Sequence, residues 1–233
     1  MTDIREPAPV PFVVDPEIGS VVRLGLVRGE PVEVRPAAEA LRAETETLRA
    51  ELAERHAGKS PAEIEGLAAA RDLYRAFGID PTRTRPSSEA LLRRILLGKP
   101  LPVILNAVDV CNLCSLRFLL PIGLYDVARI RGQVALRRGL PGESFQGIRK
   151  DDVHLEGRPA LADDEGAFGN PSSDSLRTAV TEATRSLWMV VFAPRDYPAL
   201  LLADHVAFAR AAVERHLVPA GGSIATSGAR FPA

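Results

Sequence analysis

Cysteine is scarce: the 233 residues hold two, Cys111 and Cys114. That excludes the disulfide scaffold of small secreted domains. Lysine is nearly missing, at Lys59, Lys99 and Lys150 against 29 basic residues in all. Arginine suits phosphate and carboxylate forks better than lysine does. Here, however, the arginines are spread along the whole chain, which reads as coding bias. The net charge is −1, so a globally basic nucleic-acid binder is excluded and only a local basic patch remains. The longest strongly apolar run, LWMVVFA at Leu187–Ala193, is far too short to cross a bilayer. The start, MTDIREPAPVPF, has no apolar stretch after its charges and so no secretory signal. The four histidines, His56, His154, His205 and His216, lack metal-ligand spacing, and no cofactor signature is found. A cytoplasmic protein without metal, cofactor or membrane partner is expected. What is abundant is apolar residues, 46% of the chain, enough for one large domain or a domain with an appendage.

Along the chain, Phe12–Val14 and Val21–Val27 read as short strands around a turn. Pro36 to Ala57 is helical, with Leu41, Leu48 and Leu52 as its apolar stripe. Ser60-Pro61-Ala62-Glu63 has the form of a capping box, which predicts a helix running to Gly78. A third helix carries Leu91, Leu92, Ile95 and Leu96 and ends at Gly98. Strands are expected at Val103–Val108, Val134–Arg137, Val153–Leu155 and Leu187–Ala193. A last helix is expected over Pro198–Leu217, followed by a loose tail rich in Gly, Ser, Ala and Pro. Helices early and late with strands between predict an α+β fold. The expected division is N-terminal strands over 1–35 that join the main sheet, a helical segment over 36–70, the main domain over 71–218 and a flexible tail over 219–233. Charge is segregated: Arg71 to Lys99 has seven bases against three acids, and Glu39 to Glu65 seven acids against four bases. The first of these can face phosphate, or simply be a solvated helix face.

Cys111-Asn112-Leu113-Cys114 has the spacing of a dithiol redox motif, which works when the first thiolate sits at a helix N-terminus. Nothing else supports that chemistry. No Pro lies between the cysteines, Pro121 and Gly123 would interrupt a long helix early, and a zinc site would need two further ligands. Small buried hydrophobes are the reading the sequence favours for both. The polar residues Asp109, Asn112, Ser115 and Arg117 follow a run taken as a buried strand, a common place for a ligand pocket. They can equally be local turn and cap chemistry.

The run Asp109-Val110-Cys111-Asn112 to Pro121-Ile122-Gly123-Leu124-Tyr125-Asp126 precedes Gly132-Gln133-Val134-Ala135-Leu136-Arg137 and Gly142-Glu143-Ser144-Phe145. Upstream stand Arg85-Pro86-Ser87-Ser88-Glu89-Ala90-Leu91 and Arg93-Arg94. Downstream stand Asp174-Ser175-Leu176-Arg177-Thr178 and Thr181-Glu182-Ala183-Thr184. In this order and spacing the chain resembles the B3/B4 domain, the tRNA-binding and editing module of the phenylalanyl-tRNA synthetase beta subunit. It resembles free-standing proteins built around that domain more closely still. The resemblance covers roughly Arg71 to Ala193. One position departs from it: Gly123 stands where the synthetase domain has an editing-pocket histidine. No synthetase active site or anticodon-binding domain is found, so charging of tRNA is not expected.

The resemblance implies a central mixed or antiparallel sheet with helices on the N-terminal side and a C-terminal helix. It also implies tRNA as partner, and ester hydrolysis of mis-acylated tRNA in trans. That reaction needs a positioned water, donors for the oxyanion and a fitted pocket, with no side-chain nucleophile required. Asn112, Ser115, Glu143 and Thr184 would then be catalytic. Asp109, Pro121, Gly123, Tyr125 and Thr181 would line the substrate. Arg83, Arg85, Arg93 and Arg94 would meet phosphates. The alternatives are a non-catalytic module that holds tRNA or an amino acid, and an unrelated redox or metal role for the cysteines.

Overall fold

The computed structural model describes residues 10–148, 151–219 and 223–228. In chain order the elements are β1 (Phe12–Val14), α1 (Pro16–Gly19), β2 (Val22–Glu30), α2 (Glu39–Arg55), α3 (Ala68–Ala76), α4 (Ser87–Leu96) and α5 (Asn106–Phe118). There follow β3 (Ile122–Asp126), β4 (Val134–Arg138), β5 (Ser144–Gln146), β6 (Asp152–His154), β7 (Pro159–Asp163), β8 (Gly166–Asn170) and β9 (Ser173–Asp174). The last are β10 (Leu187–Pro194), α6 (Ala199–Leu217) and β11 (Ser223–Gly228). The class is α+β, as expected. The strands make two main sheets instead of one. The first is antiparallel, in the order β11-β2-β10-β3; the second is mixed, in the order β1-β4-β7-β8-β9, with β1 parallel to β4.

β10 explains the layering. All eight of its residues, LWMVVFAP, are buried, and its side chains alternate between two cores. Leu187, Met189, Val191 and Ala193 face a core shared with α2, α4, α5 and α6. Trp188, Val190 and Phe192 face a second core, formed with Leu136 of β4, Leu161 of β7, Phe168 of β8 and Leu73, Tyr74 and Phe77 around α3. Each large side chain so buried stabilises the fold by roughly 1.5–3 kcal/mol before the entropy cost of ordering it. A small third core sits on the far side of the mixed sheet, where Phe145 and Leu155 of the β5–β6 hairpin region cover Ala160, Ala162 and Ala167. α6 lies close against β2 because Gly25 and Gly29 leave it room. A Cβ on Gly25 would overlap Val206, and one on Gly29 would stand 3.0 Å from Val213.

Several expectations are corrected. Val103–Val108 is not a strand: residues 101–105 are unpaired and α5 begins at Asn106. The cause is long-range. The Asn106 side chain, 2% exposed, accepts from the Arg35 and Ala107 amides and donates to the carbonyls of Glu33 and His216. These bonds fix a helix start that no local cap signals. The capping box is present, with the Ser60 amide and hydroxyl donating to Glu63 at 2.8 and 2.6 Å. It opens only a short 3-10 turn at Pro61–Glu63, and α3 proper starts at Ala68. Residues 223–228 of the expected tail form β11, antiparallel to β2, because β2 would otherwise be an unpaired edge. Of the rest of that tail, Pro219 is exposed coil and 220–222 and 229–233 lie outside the described residues. Apart from these corrections, the segments share sheet and core: β2, from 1–35, lies between β11 and β10, and α2, from 36–70, packs in the same core as α5.

The two-sided burial of β10 makes a direct prediction. Phe192→Ala should cost about 3–5 kcal/mol, read as a lower urea midpoint with an unchanged slope. A loss below about 1 kcal/mol would show that the second core repacks freely around that position.

Candidate functional site

The two sheets approach each other at β3 and the β8–β9 turn, and the chemistry gathers there. α5 stops at Leu119, whose φ of 55° is left-handed, a conformation that costs a non-glycine residue roughly 1 kcal/mol. The turn is held by the Leu119 amide donating to the Ser115 carbonyl and by the Ser115 hydroxyl donating to the Leu120 carbonyl at 2.8 Å. Pro121 then leads into β3. On β3, the Tyr125 ring fills the space between the sheets. A Cβ on Gly123 would lie 2.6 Å from its Cζ, and one on Gly169 of β8 would lie 2.7 Å from the same atom. Gly123 therefore opens no pocket; the tyrosine occupies the volume it leaves.

At the end of β8, the Asn170 side chain accepts from the Ser172 and Ser173 amides, both at 2.8 Å. The Tyr74 hydroxyl donates to the Pro171 carbonyl at 2.9 Å and pins the turn from α3. Burial pushes the Tyr74 phenol up to about 12, so it stays a donor at neutral pH. Asp174 of β9 then accepts from the Leu124 amide at 3.2 Å and ties the mixed sheet to the antiparallel one. A pocket of about 200 Å³ opens at this joint, lined by Ser87, Ile122, Ile148, Asn170, Ser173 and Asp174 among others.

Asp174 is the charge this region feels. The Cys111 thiol and the Tyr125 phenol are both pushed well up, first by burial and then by the Asp174 carboxylate. The Tyr125 hydroxyl makes no hydrogen bond of ordinary geometry. Asp174 is nonetheless close enough to couple to it electrostatically. A carboxylate among hydroxyls in a small cleft can accept an ammonium group or orient a water. No His/Cys/Asp/Glu group that could hold a metal is found among the described residues.

The expected catalytic residues do not converge on this pocket. Ser115 is spent on the end of α5. The Thr184 hydroxyl donates to Asp126 at 2.7 Å and accepts from the Thr181 amide at 3.0 Å, bracing the segment after β9. Glu143 is held by Arg137 through two bonds of 2.8 Å, and the guanidinium keeps its carboxyl below the usual range. Asp109 and Asn112, one turn apart on α5, line a different and larger groove of about 580 Å³ between α2, α5 and residues 98–103. Among the expected phosphate ligands, Arg85 pairs with the buried Glu89 at 3.3 Å and Arg83 with Asp80 at 3.7 Å. Arg94 donates to the Pro100 carbonyl, and Arg93 is exposed. Sequence reasoning missed Asn170, Ser173 and Asp174 as a group. Their signal was the turn-rich string Asn170-Pro171-Ser172-Ser173 ahead of Asp174.

The B3/4 domain model matches residues 69–196, more than half of the 233. This chain belongs to the B3/4 domain family. Every residue lining the small pocket falls inside the matched stretch of this B3/4 protein, whereas α2 and α6 fall outside it. A similar curated protein is the phenylalanine–tRNA ligase beta subunit of Nocardia farcinica (strain IFM 10152), 35% identical over 94 residues. That match takes in 40% of this chain and 11% of the ligase subunit. A similar solved structure is an N-terminal fragment of the phenylalanyl-tRNA synthetase beta subunit from Pyrococcus horikoshii, at 15% identity and a TM-score of 0.45. It is matched over 97% of this chain and 55% of the fragment. No described helix is long and apolar enough to cross a membrane.

Two outcomes are expected from this geometry. Gly123→Ala should destabilise the protein by about 1–3 kcal/mol through overpacking against Tyr125, measured as a fall in melting temperature. Cys111 and Cys114 lie mid-helix and are buried, and burial pushes both thiols up. At about pH 8 they should resist iodoacetamide in the native protein and react fully in denaturant, as counted by mass spectrometry. Fast native labelling of either would restore the redox reading.

Proposed function

We propose that this B3/4 chain receives the aminoacylated 3′ end of tRNA and hydrolyses mis-acylated esters in trans, with the aminoacyl group seated at the β8–β9 turn. The observation that carries the reading is the Asp174 carboxylate set among Ser87, Asn170, Ser172 and Ser173 in a pocket of about 200 Å³, inside the family-matched residues. In this chemistry, water adds to the ester carbonyl, the carbon–oxygen bond to the ribose breaks, and the ribose oxygen leaves with a proton. The products are the free amino acid and uncharged tRNA. Asp174 binds the α-ammonium or orients the water, and the serine hydroxyls face the carbonyl oxygen. The neighbouring ribose hydroxyl can help hold the water, so no side-chain nucleophile is needed. The exposed Arg93 is the remaining candidate for phosphate contact among the four arginines expected there.

A second reading, recognition without hydrolysis, is favoured by a specific observation. Ser115, Thr184 and Glu143 are all committed to structural bonds, and the position that carries a histidine in the synthetase domain is Gly123, packed under Tyr125.

A deacylation assay against a panel of mischarged tRNAs separates the two. Hydrolysis should appear for at least one pair, and Asp174→Asn, which keeps an acceptor for the Leu124 amide, should lower it by about 100-fold or more while circular dichroism shows the fold retained. Absence of turnover across the panel, with tRNA still retained in a filter-binding assay, would leave the second reading. Absence of both would remove tRNA from the account.

A further inference from the structure

The larger groove is a separate site. One wall is α2, outside the family-matched residues; the other is α5, inside them; residues 98–103 form the lip. Its walls are apolar where Leu41, Leu101 and Pro102 line them. Its floor is polar. Asp109 is 6% exposed, and the Ile104 amide donates to its Oδ1 at 3.1 Å. Among the described residues, Oδ2 has no hydrogen-bond partner, and it is not sealed off in the protein interior. Asn112, one turn further along the same face, is half-buried and its side-chain amide is likewise uncommitted within the described structure. Burial pushes the Asp109 carboxyl up, opposed by the Ile104 amide and by the charge of Arg42. Arg42, exposed on α2, lines the same groove as Asp109, with Lys99 in the 98–103 lip.

A carboxylate nine-tenths buried, with a spare oxygen and a guanidinium beside it that does not close on it, calls for a ligand with both charges close together. A simple carboxylate would meet Arg42 and be repelled by Asp109. A simple amine would meet Asp109 and leave the guanidinium to water. We propose that this groove binds a free α-amino acid with an apolar side chain. Its ammonium lies on Asp109 and Asn112, its carboxylate faces Arg42, and its side chain lies against Leu41, Leu101 and Pro102. This inference goes beyond the hydrolytic reading, occupies a different cavity and does not need that reading to hold.

The test is isothermal titration of the full chain with L-leucine, L-methionine and L-phenylalanine. At least one should bind with a dissociation constant below about 1 mM. For the amino acid that binds, its amide, which lacks the carboxylate, and its desamino acid, which lacks the ammonium, should each bind about tenfold more weakly or worse. Asp109→Asn keeps the acceptor for the Ile104 amide and should weaken binding about tenfold; the surface change Arg42→Ala should do the same. Three results would overturn the proposal: no saturable binding of any of the three, an amide that binds as well as its free acid, or binding that survives Asp109→Asn and is lost in Asp174→Asn. The last would place the ligand in the other pocket. Deacylation measured on the same preparations separates the failures. A chain that hydrolyses no ester yet binds an amino acid through Asp109 keeps this inference and loses the hydrolytic one, and the converse holds equally.

Discussion

The structure depends on one strand being buried on both faces. β10 has no polar side chain to tell one face from the other, so the usual penalty that fixes strand register, an apolar face turned to water, is absent. Size takes its place. The large Trp188 and Phe192 lie on the side facing the mixed sheet, where Leu136, Leu161 and Phe168 meet them. On the helical side, β10 runs beside β2 with Leu187 opposite Gly29 and Val191 opposite Gly25, the two glycines that admit α6. β3 takes its register from the other edge of β10, Tyr125 opposite Trp188 and Gly123 opposite Val190. The position of the small pocket follows from that alignment, since Ile122 and Leu124 on the same strand meet the β8–β9 turn.

Around this frame the charged groups divide into two kinds. Glu89, 2% exposed, is clamped by Arg71 through 2.8 and 2.9 Å bonds and reached by Arg85. Asp163 is held by Arg177 and by the amides of Arg131 and Glu165, and Glu143 by Arg137. A carboxylate taken from water without such partners would cost several kcal/mol, so these are locks on the fold. Asp109 is the contrast: it is as buried as the locks, yet no arginine closes on it.

Much of the fold could be read from the sequence. β10, α4 and α6 follow from apolar runs and 3.6-residue spacing, and α2 from its Leu41, Leu48 and Leu52 stripe. The failures share a cause. Val103–Val108 has the composition of a strand, but Asn106 is claimed by backbone from residues 33, 35 and 216, and no local pattern reports such distant bonds. Ser223–Gly228 looks like a tail because its strand identity comes from the vacant edge of β2. The site is legible only in part for a related reason. Ser115, Thr184 and Glu143 follow from the resemblance, and a motif does not report which buried polar groups find partners inside the protein. Asp174 was visible within a motif, but its reach to the Leu124 amide across the sheet joint was not.

The interleaving of segments bears on how this protein could be handled or shortened. A piece cut to residues 69–196 would keep β10 and β3 yet lose β2, α2 and α6. Leu187, Met189, Val191 and Ala193 would then keep α4 and α5 but lose the cover of α2 and α6, along a strand whose former neighbour is gone. Such a fragment would present a sticky apolar ribbon next to an open hydrogen-bonding edge, the combination that drives chains to aggregate. The stretch that matches the family model thus relies on segments outside it to cover its central strand.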